Sequence, residues 1–226
     1  MQPYFLPYIG YWQLINSVDV FVIYDNIQYT KKGWINRNRY LLNGKAALFS
    51  LNLKNDSDFL NVNQRFLSHQ YKRNKLINMF NSAYHRAPMK KEIFPFIEKI
   101  IYCPCENLFE YIYCSIKDIC EYLKIRTKIV LSSDINIDHS LKSEEKVIAI
   151  CKNIQVNTYI NLIGGMELYS KNSFEKENVN LKFIKSKPIS YLQFNNTFVE
   201  WLSILDVMMF NSKKEITKML GEYDLL

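Results

Sequence analysis

The sequence predicts an α/β fold in which helices flank a mainly parallel sheet. Runs of β-branched and aromatic residues alternate with helical patterns along the chain, which is the order expected of a parallel sheet covered by helices. Residues 64–123 instead show continuous helical spacing, which predicts a helical insertion or subdomain. No flexible linker separates the two patterns, so we expect residues 1–226 to form a single domain that carries this insertion.

The first predicted unit is a loop, a short helix and a strand. The opening MQPYFLPYIGYWQLI has no basic start, no continuous apolar run and no cleavage site, so it is not typical of an export signal. Apolar spacing over residues 12–18 favours a helix, and VFVIY at residues 20–24 has the composition of a strand. The turn pair Asp25-Asn26 ends that strand.

A hairpin and three helices follow. Asn43-Gly44 is a strong hairpin signal inside residues 40–53, and residues 46–51 would form the return strand. Apolar residues at steps of three and four then predict three helices, which cover residues 71–80, 91–101 and 107–123. Pro88, Pro95 and Pro104 interrupt this helical part of the chain.

The remaining strands alternate with one helix. KIVLSS at residues 128–133, NTYINL at 157–162 and LKFI at 181–184 predict strands, and residues 140–151 predict a helix. This order of elements is the reason for expecting the strands to run parallel in one sheet.

The composition excludes several classes of protein. Charged or amide side chains interrupt every apolar run, so no membrane span is expected. Five cysteines without an export signal favour reduced thiols and the cytoplasm. The formal charge is +7, but lysines alternate with acids, as in KSEEK at residues 142–146, which indicates a solvated helix face. Nucleic acid is therefore not the expected partner, whereas one short cationic loop suits a diphosphate.

Metal and standard catalytic motifs are not recognised. The Cys103-Pro104-Cys105 segment, followed by Cys114 and Cys120, lacks the paired spacing of structural zinc sites, so these thiols are interpreted as small buried side chains on helical faces. The three histidines have no metal-binding spacing, and we expect no metal. No serine-hydrolase, P-loop or glycine-rich dinucleotide motif occurs.

Three unusual loops would lie beyond the carboxyl ends of the predicted strands, where parallel sheets bind ligands. These are residues 25–39, 132–140 and 164–169, and Asp25 and His139 are the candidate proton acceptors within them. Arginine and asparagine can grip phosphate or a base edge, and tryptophan can cover a sugar or base, so Arg37 is expected to clamp a diphosphate. The alternatives are a charged surface hairpin for the first loop and a positive-φ turn for the glycine pair. The candidate substrate-binding residues in these loops are Gln28, Tyr29, Lys31, Lys32, Trp34, Asn36, Arg37, Asn38, Arg39, Ser132, Gly164, Gly165 and Tyr169.

Over nearly its whole length the chain resembles the WbqC-like family. The resemblance rests on QP and PxxGY near the start, on DN before Q-Y, on a tyrosine after GG, and on the segment YLQFNNTFVEWLSILDVMMF. It adds Gln2 and Tyr11 to the candidate substrate-binding residues. Relatives usually have a short apolar strand before QP, so the first strand of this chain is expected to be truncated or its start misassigned.

The resemblance implies a role in bacterial surface polysaccharide, such as O-antigen, and a glycine or other aminoacyl transfer onto a nucleotide-linked amino sugar. It also implies a loop like the phosphate loop of nucleotidyltransferase or Rossmann-like folds, with Tyr11 in place of the histidine; an aromatic turn that plugs the sheet is the alternative. The expected partners are a nucleotide amino sugar and a small amino acid or acyl donor. The cofactor stays open between ATP and an activated aminoacyl donor such as a thioester or charged tRNA. A noncatalytic nucleotide-sugar binding or assembly protein is the competing interpretation.

Overall fold

In the computed structural model, which describes residues 1–226, small sheets are flanked by helices, so the fold is α/β. The strands are β1 (Val20–Ile23), β2 (Arg37–Leu42), β3 (Lys45–Ser50), β4 (Lys128–Leu131), β5 (Thr158–Leu162), β6 (Asn180–Ser186) and β7 (Tyr223–Leu225). The helices are α1 (Ile9–Asn16), α2 (Arg73–Ala83), α3 (Lys90–Ile101), α4 (Leu108–Leu123), α5 (Ser143–Asn153), α6 (Lys171–Lys176), α7 (Ile204–Phe210) and α8 (Lys213–Met219).

Parallel pairing is present but limited to pairs of strands. β1 pairs in parallel with β4, and β5 pairs in parallel with β6, while β7 adds an antiparallel edge to β6. The expected mainly parallel sheet is therefore only partly present, and no Rossmann sheet forms. The reason is that β1 and β5 do not hydrogen-bond to each other; a groove of about 460 Å³, lined by Val20–Val22 and Thr158–Asn161, lies between them.

Met1 lines this groove and is hydrogen-bonded beside the end of β1. Its amino group donates to the carbonyl of Val22 at 2.7 Å, and its own carbonyl accepts from the amide of Tyr24 at 2.8 Å, which is the pattern of a parallel bridge. Burial lowers the pKa of the amino group to about 5.

The hairpin is found where the sequence predicts it. β2 and β3 are antiparallel, with Leu42 opposite Lys45 across the turn. Asn43 has φ 51° and Gly44 has φ 72°, the left-handed pair that a two-residue hairpin turn requires. β2 begins at Arg37, so the last three residues of the predicted 25–39 loop lie in a strand.

Helices α2, α3 and α4 also occur where helical spacing predicts them. Asn107 caps α4 by accepting hydrogen bonds from the amides of Phe109 and Glu110. Buried side chains of all three helices belong to one apolar core of 43 residues that also includes Phe5, Phe21 and Leu205. The helical segment thus packs into the main core.

The C-terminal elements α6, α7, α8 and β7 were not predicted. Within α7, Asp206 is fully buried and accepts hydrogen bonds from the Tyr84 hydroxyl (2.9 Å), the Tyr191 hydroxyl (2.7 Å) and the Gln193 side chain (2.7 Å). Burial nevertheless raises the pKa of Asp206 to about 6. None of the helices has the length and apolar character needed to cross a membrane.

Candidate functional site

Polar side chains gather where β1 and β4 end. Ile23 and Leu131 are opposite each other in this parallel pair, so Asp25 and Ser132, which follow them, lie at the same edge. We call Asp25, Asn26, Ser132, His139 and Lys146 the strand-end cluster. It contains both predicted proton acceptors, from two different loops.

Asp25 is held firmly in this cluster. Its Oδ1 accepts from the Ser132 hydroxyl and the Ser133 amide, both at 3.0 Å, and its Oδ2 accepts from the Asn63 side chain at 3.2 Å. Burial would raise the pKa of Asp25, but the hydrogen bonds from Ser133 and Ser132 outweigh burial and lower it below the ordinary value. An ionised carboxylate with this many donors is a poor proton acceptor, so Asp25 is better suited to hold the loops after β1 and β4 together.

His139 is exposed and its ring is oriented by two hydrogen bonds. Its Nε2 donates to the carbonyl of Ile135 at 3.1 Å, and its Nδ1 accepts from the Asn26 side chain at 3.0 Å. The Asn26 carbonyl oxygen in turn lies 2.6 Å from the Ser132 hydroxyl. These contacts place the ring proton on Nε2 and leave the lone pair on Nδ1.

Lys146, like Asn26, is a member of the cluster that sequence reasoning missed. It lies on α5, where KSEEK predicted a solvated face, yet it is only 7% exposed, so that prediction is wrong for this residue. Its ammonium lies 5.6 Å from the ring centroid of Tyr24 and makes no ion pair within 4.0 Å. Burial lowers the pKa of Lys146, and the charge of Asp25 opposes this only in part. A lysine with a lowered pKa is a candidate proton acceptor or nucleophile.

The loop after β5 ends at Tyr169, which packs beside its own strand. The ring centroid of Tyr169 lies 5.7 Å from that of Tyr159 and 5.8 Å from that of Phe174. The glycines of this loop lie in a short 3₁₀ helix, Ile163–Leu168, and neither has a positive φ, so the positive-φ turn is wrong. Gly164 has no atom within 4 Å of where a Cβ would lie, whereas at Gly165 the Asn161 side chain would be 3.0 Å away.

A second group of residues surrounds the exposed ring of Trp34, which is 44% exposed. The guanidinium carbons of Arg37 and Arg39 lie 5.3 Å and 5.5 Å from its ring centroid, and the Tyr4 ring centroid lies 6.3 Å away. Arg39 donates to the carbonyl of Trp201 at 3.1 Å, and Arg37 donates to the carbonyl of Lys32. We call Tyr4, Trp34, Arg37, Arg39 and Trp201 the Trp34 cluster.

The Trp34 cluster is cationic and has no acidic partner. All four ion pairs of the molecule use lysines, so neither arginine is paired with a carboxylate. The Nε atoms of Arg37 and Arg39 are buried and have no hydrogen-bond partner. Two guanidinium groups beside an exposed aromatic face can bind an anion whose neighbouring group is flat.

The other predicted residues of the first loop serve the structure. The Tyr29 hydroxyl donates to Asn36 at 2.9 Å, and Asn36 donates to the carbonyl of Leu51 at 2.9 Å. Asn38 is fully buried and donates to the carbonyl of Leu6. On the surface, Lys31 pairs with Asp58 at 3.5 Å, and the Gln28 side chain donates to the carbonyl of Asp58 at 3.0 Å.

The N-terminal segment connects the two clusters. The carbonyl of Met1 accepts from Tyr24 beside the strand-end cluster, and the ring of Tyr4 contacts Trp34. Between them, Gln2 is exposed and its carbonyl accepts from the Tyr11 hydroxyl at 2.9 Å. Tyr11 itself is 2% exposed, so its side chain fixes this segment from inside the core. Residues 1–4 thus contact both clusters, and of the two residues in the middle Gln2 is exposed and Pro3 is buried.

Comparisons with known proteins identify a family and little else. The model of the WbqC-like protein family matches residues 2–218. A protein of Mycobacterium tuberculosis (strain ATCC 25618 / H37Rv) named "Uncharacterized protein Rv1507c" is 54% identical over 39 residues, which are 17% of this chain and 17% of that relative. No solved structure matches the chain.

Proposed function

The chain belongs to the WbqC-like protein family, and from that premise we propose that it is a transferase acting on an amino sugar nucleotide. It joins a small acyl or aminoacyl group, with glycine as the expected one, to the amine of a nucleotide-linked deoxyamino sugar. The product is an amide that enters bacterial surface polysaccharide. We place the reaction in the cytoplasm, where free thiols such as the five of this chain stay reduced.

The observation that carries this proposal is the Trp34 cluster. A nucleotide sugar offers a diphosphate next to flat and polar rings, and the cluster offers two guanidinium groups without acidic partners beside an exposed indole. A guanidinium forms two parallel hydrogen bonds to phosphate oxygens, which an ammonium does not. The clamp expected of Arg37 alone is extended here to Arg37 and Arg39 together.

The strand-end cluster supports the chemical step. The sugar amine attacks the acyl carbon, the new C–N bond forms, and the bond to the leaving group of the activated donor breaks. The amine must also lose a proton. Lys146, whose pKa is lowered by burial, is suited to take it, and Nδ1 of His139 is the second candidate if Asn26 releases it.

We also propose that the fold is related to the nucleotidyltransferase-like arrangement. β1 with β4 and β5 with β6 supply parallel pairs, and the proline-rich turn leads into α1 at Ile9. Tyr11 stands where such folds carry a catalytic histidine and is buried, so ATP is not assigned a reaction step here.

The first experiment measures binding by calorimetry with a panel of nucleotide amino sugars. Arg37→Ala and Arg39→Ala should each weaken binding by about 2 to 5 kcal/mol, and the lysine variants should recover only part of that. Arg126→Ala is the matched control, because Arg126 is exposed and makes no ion pair. Unchanged affinity in both alanine variants, with the fold intact, would remove the Trp34 cluster from the site.

The second experiment looks for turnover by mass spectrometry. The protein is incubated with the sugars that bind and with glycine as free amino acid plus ATP, as thioester and as charged tRNA. A sugar product heavier by one acyl group is expected. Tight binding without turnover under every condition would favour the noncatalytic binding protein, for which the firmly held Asp25 is the structural argument.

A further inference from the structure

Three cysteine thiols meet between α3 and α4, away from both clusters of the candidate site. Cys103 and Cys105 lie in the segment that joins the two helices, and Cys114 lies on α4. The three sulfur atoms are all within 4.8 Å of one another, and Cys105 Sγ lies 3.9 Å from Cys114 Sγ. Each thiol is half-buried and free. The interpretation of Cys103 and Cys105 as residues on helical faces is therefore wrong.

Neighbouring groups fix the segment that carries Cys103 and Cys105. Arg73, at the start of α2, donates from Nη2 to the carbonyl of Cys103 at 3.2 Å and to that of Cys105 at 3.3 Å. Pro104 between them restricts the backbone, and Asn107 caps α4 immediately afterwards. Two thiols are thus held facing the third, which is the preorganisation that a metal site needs.

The charges around the thiols suit a bound cation. Arg73 makes no ion pair with a carboxylate, and its Nε is buried without a partner. Three thiolates with one divalent ion leave a charge of about −1 by formal count, which the guanidinium of Arg73 can offset. Without a cation, three thiolates would repel one another at these distances.

We propose that Cys103, Cys105 and Cys114 form a site for one Zn²⁺ ion. Thiolate sulfur atoms around tetrahedral zinc lie about 3.8 Å apart, given Zn–S distances of about 2.3 Å. The pair Cys105 and Cys114 already has this spacing, and the third sulfur must move by at most about 1 Å to reach it. On binding, three S–H bonds break, three protons leave to solvent, and three Zn–S bonds form.

The fourth coordination position is open. No other histidine, cysteine, aspartate or glutamate joins the group, and the three thiols are only half-buried, so solvent can reach the ion. A zinc ion with three protein ligands and an exchangeable fourth ligand is the pattern of sites that bind or activate a small molecule.

The test uses the whole chain, stripped of metal by a chelator under reducing conditions and then titrated with Co²⁺. We expect one Co²⁺ per chain, an intense thiolate charge-transfer band in the near ultraviolet, visible bands typical of tetrahedral cobalt, and displacement of cobalt by Zn²⁺. Cys105→Ser and Cys114→Ser should each weaken Co²⁺ binding at least about tenfold. Cys151→Ala removes a thiol that packs in the separate six-residue core, and it should bind Co²⁺ as the unchanged chain does.

Several results would overturn the proposal. One is the absence of a charge-transfer band in the reduced, unchanged chain, which needs no variant to fold. Another is unchanged Co²⁺ affinity in both serine variants. A third is a reduced chain that binds no Co²⁺ but forms a Cys105–Cys114 disulfide on mild oxidation, identified by peptide mass, which would make the thiols a redox pair. Titration with Cu⁺ under the same conditions decides between the two ions. If the thiols bind Cu⁺ with three ligands and bind neither Co²⁺ nor Zn²⁺, the site is a copper site and the zinc proposal is wrong.

Discussion

Two buried aspartates should give the stability of this protein opposite dependences on pH. Asp206 has its pKa raised by burial from 3.8 to about 6, whereas the hydrogen bonds to Asp25 lower its pKa. A raised carboxyl pKa means that the folded chain binds the proton more tightly, so its contribution to stability is full below about pH 3.8 and is lost as pH rises to about 6. Asp25 contributes above its unfolded pKa, and that contribution is lost as pH falls.

The magnitude for Asp206 follows from the shift. The difference between about 6 and 3.8, at about 1.4 kcal/mol per unit, is about 3 kcal/mol of unfolding free energy in total, of which about 2 kcal/mol is lost between pH 3.8 and pH 6. Asp206→Asn removes this titration but keeps the shape of the side chain. The difference in unfolding free energy between the unchanged chain and Asp206→Asn should therefore change by about 2 kcal/mol over this range, in favour of the variant as pH rises.

The assay is urea unfolding of the unchanged chain, Asp206→Asn and Asp25→Asn at pH 2, 3, 4, 5, 6 and 7, which covers the range below the ordinary aspartate pKa where Asp25 titrates. Any pH-independent loss of unfolding free energy caused by a substitution cancels, because only the change with pH of the difference between variant and unchanged chain is compared. For Asp25→Asn this difference in unfolding free energy should change in the opposite direction, in favour of the unchanged chain as pH rises. Differences that do not change with pH, or that change with the same sign for both variants, would refute the reasoning.

Two further predictions concern Lys146 and Gly10. Lys146→Met keeps the buried stem of the side chain but removes the amine, so it should abolish amide formation. The affinity for the nucleotide sugar should change less than about twofold. An unchanged rate of amide formation with an unchanged pH profile would mean that Lys146 has only a structural role. Gly10→Ala places a Cβ 2.5 Å from a ring carbon of Tyr8 and should lower the unfolding free energy, measured in urea, by about 1 to 3 kcal/mol. The double variant Gly10→Ala/Tyr8→Ala should recover part of this loss, and full stability of the single variant would contradict the prediction.

Local features of the fold could be predicted because their signals are local. The Asn43-Gly44 pair needs only its own backbone to make a hairpin turn, and the three-and-four spacing of α4 defines its buried face without reference to the rest of the chain. Strand pairing is different, since β1 meets β4 across about a hundred residues that the chain must fold first. The alternation of strands and helices correctly predicted that parallel pairs form. It did not predict the groove that separates β1 from β5.

The first loop contained a signal that the sequence reasoning did not use. Side chains of a strand alternate between its two faces, so the even-numbered residues Asn36, Asn38 and Tyr40 share one face as the chain enters β2. If β2 is started at Arg37, this alternation places Arg37 and Arg39 on the half-exposed face and turns Asn38 inward, as the structure shows. Treating all residues up to Arg39 as one loop gave the asparagines a binding role that their buried hydrogen bonds do not support.

Lys146 and the cysteines could not be placed by any local pattern. KSEEK is typical of a solvated helix face, and the burial of Lys146 depends on how α5 packs beside Tyr24 and Asp25, which come from the first strand. Likewise, the approach of Cys103 and Cys105 to Cys114 depends on the bend between α3 and α4 that Arg73 fixes from a third helix. The contacts of Lys146 and of Arg73 join segments that are distant in sequence, whereas Cys105 and Cys114 are only nine residues apart and meet because of how the chain turns into α4. Helical or strand spacing predicts neither kind of contact.

The separation of the two clusters restricts the substrate that the proposed function can use. The Trp34 cluster has cations and an aromatic face but no proton acceptor, whereas the strand-end cluster has His139 and Lys146 but only one cation. A small anion would engage the first cluster alone, and a free amine would engage the second alone. A molecule that carries a diphosphate at one end and an amine at the other matches the chemistry of both clusters, and a nucleotide-linked amino sugar is such a molecule. Variants of the Trp34 cluster should therefore weaken substrate binding, which calorimetry detects. Variants of Lys146 should slow turnover, which mass spectrometry of the product detects.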